Sequence, residues 1–427
     1  MAYLGRPGAT APLTTADIPE NSITAAKIAS GAITAADVAA DMATQAELDT
    51  KLSLAGGTMT GDLIPSTPLS HRNMIINGGM QVWQRGTATT TVSDGYNAVD
   101  RFYQTEYTDG AYTVERDELS VADQGTTGHR YAMELNVTTA DTSLASNQNS
   151  YFFTRIEAQD LQHLRWGSSS AKTLTLSFWV KSNKTGTYTT HFRKMDSTAY
   201  WLVMEYTISS ANTWEQKTIT VSPTAGSTSL ITNSGGAIAN DNGSGLEVGW
   251  SLAFGSDYHT TAGTWVATED YSTSNQVNWM DSTSNNFFIT GIQLELGSSA
   301  TPFEHRSYGE ELAKCQRYCW TTGDSGYGAQ GITSALTSDS YHRSRFFSPQ
   351  TCRHKTQALT ATLTDWGATS GNSTFAFYTS LTIVTSGAGV NSQDVSGRLD
   401  AGSGGHSVLW PLNETDGTSP LIFDCEL

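Results

Sequence analysis

The stretch Lys172-Thr173-Leu174-Thr175-Leu176-Ser177-Phe178-Trp179-Val180-Lys181 alternates strictly between two kinds of position. A β-strand turns successive side chains to opposite faces, so Leu174, Leu176, Phe178 and Val180 share one face and Thr173, Thr175, Ser177 and Trp179 the other. The same period of two recurs at Leu202, Met204, Tyr206 and Ile208, at Ile219 and Val221, and at Phe288, Thr290, Ile292, Leu294 and Leu296. Turn-forming clusters, among them Ser182-Asn183-Lys184-Thr185-Gly186 and Asn240-Asp241-Asn242-Gly243, separate these runs. Strands with one apolar and one polar face are satisfied by two antiparallel sheets packed face to face. Residues 70–306 are therefore expected to form a jelly-roll-like β-sandwich.

Composition agrees with a mainly β chain. Only 38% of the 427 residues are hydrophobic and 15% charged, which leaves a large share of the small polar residues that favour turns and β-rich surfaces. The 24 Lys and Arg face 41 Asp and Glu, a formal net charge of −17. That balance argues against nucleic acid as a partner, because phosphate contacts need a basic face, and it disfavours an anionic membrane surface. Residues 1–12 lack the charged start and apolar core of a secretory signal, and no stretch approaches the roughly 20 apolar residues of a membrane span. Synthesis and folding in the cytoplasm are expected, with Cys315, Cys319, Cys352 and Cys425 as free thiols.

Towards the N-terminus, Ile18, Ile23, Ile28, Ile33 and Val38 recur every five residues, and Ser22-Ile23-Thr24-Ala25-Ala26-Lys27-Ile28 is echoed by Ala32-Ile33-Thr34-Ala35-Ala36-Asp37-Val38. Five steps along a helix turn a side chain about 140° away from the previous one, and an odd step along a strand moves it to the opposite face. Each repeat is thus a short extended piece plus a turn. So thin a ribbon buries its apolar edge only against copies of itself. Met42, Leu48 and Leu52 follow with Ala, Gln, Glu and Lys between them, a pattern for a short helix that needs partner chains in a coiled-coil neck. Gly56 and Gly57, then Pro65 and Pro68, mark a linker.

Beyond the sandwich, residues 310–320 carry Leu312, Cys315, Gln316 and Cys319 at helical spacing. A last β-rich unit follows, in which Leu359, Ala361 and Leu363, then Phe375, Phe377, Thr379, Leu381 and Ile383, and finally Leu421, Phe423 and Cys425 alternate. Gly402-Ser403-Gly404-Gly405 would supply exposed loops at a tip. The expected order is a segment 1–17, a stalk, neck and linker 18–69, the sandwich 70–306, a connecting helix 307–320 and a β tip domain 321–427.

Three stretches carry a resemblance. Lys51-Leu52-Ser53-Leu54-Ala55-Gly56-Gly57-Thr58-Met59-Thr60-Gly61-Asp62-Leu63 resembles an element of bacteriophage fibre shafts. Asn73-Met74-Ile75-Ile76-Asn77-Gly78-Gly79-Met80-Gln81-Val82-Trp83-Gln84-Arg85-Gly86, with Asp100-Arg101-Phe102 downstream, is similar to the opening of a sandwich module in tail fibres of marine and cyanobacterial phages. Gly291-Ile292-Gln293-Leu294-Glu295-Leu296-Gly297, continuing through Thr301-Pro302-Phe303-Glu304 to Cys315-Gln316-Arg317-Tyr318, is similar to that module's closing strand and following helix. The isoleucine repeat is similar to fibre shafts of the same group, whereas Phe347-Ser348-Pro349-Gln350-Thr351-Cys352-Arg353 departs from the Pro, Met, Arg pattern of fibre tips by its cysteine. The resemblance, to tail fibres and receptor-binding proteins of tailed phages, implies a homotrimer. Its stalk would pack Ile18, Ile23, Ile28, Ile33, Val38, Met42, Leu48 and Leu52. A tail or adaptor protein of the virion would hold its N-terminus, and its far end would meet a host-surface glycan or protein.

No Gly-rich phosphate loop, nucleophile elbow or His-Glu-x-x-His motif is present. No catalytic residue, cofactor or metal is expected, and the chain is read as no enzyme. Asp257 and His259 would share a strand face but read as surface residues. Cys315 and Cys319, one helical turn apart, would need His305, or Cys352 together with His354, to make a zinc site, and their spacing is wrong for the usual knuckle. A polysaccharide depolymerase remains the enzymatic alternative, since two carboxylates suffice to cleave a glycosidic bond. A purely architectural fibre is the other. For a glycan, Trp179 and Trp265 are the candidate platforms, one on the outward face of its strand and the other in a polar loop.

Overall fold

The computed structural model describes residues 70–86 and 89–321 with their side chains, and beyond them strands and short pieces of residues 332–426. These belong to the second of two compact units, residues 66–427. The repeat, the neck and most of the linker, with Ile18 through Leu52, lie outside the described residues.

Twelve strands build the sandwich: β1 (Thr90–Thr91), β2 (Tyr103–Tyr107), β3 (Ala111–Glu118), β4 (Tyr131–Thr139), β5 (Asn149–Glu157), β6 (Leu174–Ser182), β7 (Gly186–Lys194), β8 (Tyr200–Ile208), β9 (Glu215–Val221), β10 (Ser244–Phe254), β11 (Trp265–Val266) and β12 (Asn286–Leu296). One sheet runs β1-β3-β4-β12-β6-β9 and the other β11-β8-β7-β10-β5-β2. Most connections cross from sheet to sheet, the pattern of a jelly roll; β3–β4 and β7–β8 pair as sequence neighbours, and β10 and β11 share a sheet without pairing. A short helix, α1 (Val121–Thr127), lies between β3 and β4.

The expected inner face of β6 is observed: Leu174, Leu176, Phe178 and Val180 are fully buried. They meet β10 of the other sheet, whose Trp250 stacks on Phe152 at 5.3 Å and stands edge-on to Phe178 at 5.8 Å. Leu202, Tyr206 and Ile208 of β8 and Ile219 and Val221 of β9 join the same core. The outer face of β6 is not a solvated polar face, however. Thr175 is buried and donates to the Gly297 carbonyl at 2.8 Å.

β12 departs from the single alternation read over Phe288 to Leu296. Phe287 and Ile289 point into the core, and so do Ile292 and Leu294, because the register with β6 slips between Thr290 and Gln293. The extra residue is taken up at Gly291, whose φ of +63° suits glycine. Phe288 therefore faces outward, against Trp214 and under the Lys181 ammonium, 4.4 Å from its ring centroid. A Cβ on Gly291 would lie 2.5 Å from His129 Nε2.

His129 is buried beside Phe303 and His305. Burial, then the neighbouring His305, lower its pKa to about 4. The unfolded imidazole takes a proton near its ordinary value of about 6.5, so protonation favours the unfolded chain and stability is lost as pH falls from about 6.5 to about 4. Between pH 7 and 5 this one group should contribute a loss of about 2 kcal/mol. Denaturant titrations of the wild type and of His129→Gln at both pH values should show that difference; equal pH dependence would contradict it.

Residues 71–86, expected as part of the strand run, form an irregular strap instead. Asn73 Nδ2 donates to the Ile292 carbonyl at 2.9 Å, and its Oδ1 accepts from the Ile75 and Leu294 amides. Asn77 Nδ2 donates to the Val82 and Asp100 carbonyls at 2.8 and 3.0 Å, and its Oδ1 accepts from the Gln81 and Val82 amides, both at 2.9 Å. Each amide thus replaces the ladder that a strand would have supplied. Gly78 packs so closely on β12 that a Cβ would stand 2.0 Å from the Ile292 carbonyl oxygen.

The helix expected over residues 310–320 is α2 (Tyr308–Gln316), begun by a reciprocal capping box between Ser307 and Glu310. It ends early because Cys319 and Trp320 are drawn into a strand, β13 (Cys319–Thr321), whose Trp320 stacks at 4.1 Å on Phe423. Phe423 lies in Ile422–Asp424, which pairs on its other edge with Ala358–Thr360. The remaining strands make a separate six-stranded sheet, in which Thr374–Ile383 includes the alternating positions from Phe375 to Ile383. Ala361, Leu363, Leu421 and Cys425 lie outside the described residues.

A buried ionic cluster fastens residues 424–426 to the sandwich. Glu426 pairs with Arg101, and with Arg85 at 3.3 Å; Arg85 also meets Asp424 at 2.7 Å and Asp100 at 3.5 Å. The Arg101 guanidinium lies over the Tyr318 ring, 3.5 Å from its centroid.

Candidate functional site

The outer face of the second sheet carries three rows of side chains, set by cross-strand register. Arg155 of β5 stands opposite Glu247 of β10, Glu247 opposite Arg193 of β7, and Arg193 opposite Trp201 of β8. The next row runs Tyr103, Phe153, Gly249, His191 and Val203 over β2, β5, β10, β7 and β8. The third is Thr105, Tyr151, Ser251, Thr189 and Glu205.

The segment between β10 and β12 straps the third row. Ser251 Oγ donates to the Tyr271 carbonyl at 2.8 Å, Thr189 Oγ1 to Gln276 Oε1 at 2.8 Å, and Glu205 Oε1 accepts from Asn275 Nδ2 at 3.0 Å. This segment brings Tyr271 against Trp201, Tyr151 and Phe254 of β10 in a small aromatic cluster.

The first two rows combine a buried floor with a half-buried rim. Phe153, His191, Glu247 and Trp201 form the floor; Tyr103, Arg155 and Arg193 form the rim, beside Tyr151 of the third row. Tyr103 stacks on Phe153 at 4.9 Å, the Arg155 guanidinium lies 4.6 Å from the Phe153 centroid, and that of Arg193 lies 5.0 Å from the Trp201 ring. Gly249 leaves the space that the His191 ring fills, since a Cβ there would come within 2.1 Å of His191 Cε1.

Glu247 accepts from Arg155 Nε at 2.7 Å and faces His191 Nε2 at 3.5 Å. Burial alone would raise its pKa, but His191 and the Arg155 charge outweigh burial and hold the carboxyl below its ordinary value. Burial pushes His191 the other way from its carboxylate partner and prevails, so the imidazole is neutral. Among the described residues, His191 Nδ1, Arg193 Nε and Trp201 Nε1 have no hydrogen-bond partner although buried. Such groups cost about 1–3 kcal/mol each when left unpaired. Three of them on one aromatic face are what a polyhydroxylated ligand would satisfy.

At the Arg155 corner a cleft of about 320 Å³ opens, lined among others by Ile156, Asp160, Lys314, Arg317 and Tyr318. Arg317 is engaged there by Glu157 at 2.7 and 2.8 Å.

The two tryptophans singled out from the sequence lie on different sheets. Trp179 is half-buried on the first sheet, packed with Leu119, Ala132, Trp214 and Phe288. Trp265 is only 1% exposed, edge-on to Trp166 at 5.6 Å and donating from Nε1 to the Ser222 carbonyl at 2.8 Å. It offers no open face, because β11 pairs with β8 and turns this indole inward. Asp257 accepts from Ser146 at 3.0 Å while His259 meets the Phe254 carbonyl, so the two do not act together. Cys315, Cys319 and Cys352 are buried thiols, and burial raises the first two well above the usual range. His305 packs on His129 and Phe303, and no three metal-binding side chains converge among the described residues.

No family model matches the chain, and no curated protein matches it in sequence. Solved structures resemble about half of it. A Bacteroides thetaiotaomicron protein assigned to sugar binding has a TM-score of 0.29 at 10% identity, covering 53% of this chain and all of its own. The enzymatically active domain of tailspike protein 4 of bacteriophage CBA120 has a TM-score of 0.24 at 12% identity, over 53% of this chain and 21% of that one. TmCBM61, solved with β-1,4-galactotriose, has a TM-score of 0.23 at 11% identity, over 53% of this chain and 99% of that one. Likenesses this distant do not bear on function.

Proposed function

We propose that the chain is a host-adhesion tail fibre of a tailed bacteriophage, a virion component made in the host cytoplasm that binds a surface polysaccharide without cleaving it. The observation that carries the reading is the outer face of the second sheet. There aromatic rings, two guanidinium groups and three unpartnered buried donors or acceptors share one surface. The phage assignment draws on the fibre-like stretches at residues 51–63, 73–86 and 291–318. Glu247, ionised and held by Arg155, is a ligand for hydroxyl groups rather than a proton donor.

Purified chain should bind polysaccharide from the host surface and, in excess, block adsorption of the phage. Release of reducing ends from that polysaccharide would establish the depolymerase reading instead. Failure both to bind cells and to block adsorption would leave a purely architectural fibre.

The same reading makes the fibre a homotrimer along residues 18–54, with residues 1–17 gripped by a tail or adaptor protein. Burying one Ile or Leu contributes about 1.5–3 kcal/mol, and these positions gain it only where copies meet along a common axis. Light scattering should give three times the 45.8 kDa chain mass. Replacing Ile23, Ile28 and Ile33 together by Asp should lower that mass and leave the sandwich folded; a monomeric wild type at micromolar concentration would contradict the trimer.

A further inference from the structure

A second pocket, of about 500 Å³, lies away from the second-sheet face, lined by Gln81, Arg116, Arg130, Tyr131 and Tyr308. Four pieces of the fold build it. Gln81 belongs to the strap and is held through its amide by Asn77. Arg116 is on β3, and Arg130 and Tyr131 stand at the start of β4. Tyr308 is the first residue of α2, fixed by the Ser307–Glu310 capping box.

The lining is basic and aromatic in a chain whose net charge is −17. Both guanidinium groups lie over Tyr131, Arg116 at 4.5 Å and Arg130 at 5.3 Å from its centroid. Arg130 is matched by Glu118 at 2.9 Å, an exposed pair of little strength. Arg116 has no carboxylate or hydrogen-bond partner among the described residues. Stacking on Tyr131 fixes its plane and leaves the planar N–H fork for a ligand, the geometry that matches a carboxylate or phosphate in two parallel hydrogen bonds. Tyr308 is 57% exposed, so its ring face is open to a ligand that enters the pocket.

We infer that this pocket binds an anionic saccharide unit, its ring against Tyr308 and its acid group on Arg116, with Arg130 and Gln81 as further donors. The site is separate from the second-sheet face, and the fate of either reading leaves the other standing.

The test titrates the full chain with an oligogalacturonide, with a neutral galactose oligosaccharide of the same length, and with inorganic phosphate. One acid should bind saturably and weaken as salt rises, and the neutral sugar should bind at least about tenfold less tightly. Tyr308→Ala and Arg116→Gln should each weaken the acid at least about tenfold, whereas Lys172→Gln, an exposed cation belonging to neither site, should leave it unchanged. Tighter uronide than phosphate assigns a carboxylate sugar, and the reverse order a sugar phosphate. Absence of saturable binding of both acids up to about 10 mM overturns the inference, as does binding indifferent to Tyr308→Ala, whose exposed ring can be removed without unfolding the chain.

Discussion

Replacing Glu426 by Ala should destabilise the unit of residues 66–427 by about 3–5 kcal/mol, because it strands the buried Arg101 cation and leaves Arg85 only Asp100 and Asp424. Arg101 is 1% exposed and Arg85 6% by side chain; both point at the Glu426 carboxylate. Denaturant unfolding of the variant, followed by tryptophan fluorescence, should show the loss, with detachment of residues 422–426 as its first step. The double variant Arg101→Met, Glu426→Leu should recover much of it, since an apolar pair of similar size removes the desolvation problem together with the attraction. A loss below about 1 kcal/mol in Glu426→Ala would mean that the cluster is hydrated and contributes as a surface pair does.

Asn77→Ala should be of similar size, on the order of 4 kcal/mol. The side chain satisfies two carbonyls and two amides, and with it gone the Val82 amide and the Asp100 carbonyl are left in a dry interior. Asn77→Asp keeps the acceptor but turns both donors into a carboxylate edge facing carbonyl oxygens, so it should not rescue. Hydrogen exchange of the Gln81 and Val82 amides offers a local check, with protection falling in both variants before the global midpoint moves. Unchanged protection would show that the strap is held by Gly78 and its neighbours alone.

These two sites show what the sequence could and could not convey. Asn73, Asn77, Asp100 and Arg101 stand in the stretches that resemble phage fibres, yet alternation alone placed residues 71–86 among the strands. Nothing local distinguishes a strap from a strand until its amides are seen to bond Ile292, Val82 and Asp100. The inner faces of β6, β8 and β9 were legible because a period of two needs no tertiary information. β12 was legible only beyond Gly291: Ile292 and Leu294 face the core as their alternation implies, whereas before the bulge Phe287 and Ile289 take the inward places that the same alternation gave to Phe288 and Thr290.

The candidate site was partly legible in the same way. Trp201 precedes the buried Leu202, so its outward position follows from parity, as it does for Trp179 beside Phe178. Which outward tryptophan lies on a ligand-ready face is decided by tertiary structure: Trp179 packs with Trp214 and Phe288, and Trp201 meets Arg193. The row Arg155, Glu247, Arg193, Trp201 draws on four strands far apart in the chain, and only their register aligns it. Trp265 misleads from sequence because its Thr-rich surroundings look solvated, while its indole N–H is spent on the Ser222 carbonyl.

If the outer face of the second sheet holds a glycan, the group that senses it is the Trp201 indole N–H, buried there without a partner. Tryptophan-labelled chain, titrated with oligosaccharides released from the host surface, should show the Trp201 indole resonance moving saturably as its N–H gains an acceptor. The Trp265 resonance, already bonded to Ser222, should stay in place. Arg193→Ala should weaken the titration about tenfold, the equivalent of about 1.4 kcal/mol. Saturable binding that leaves the Trp201 resonance unmoved, or that is indifferent to Arg193→Ala, would contradict the claim.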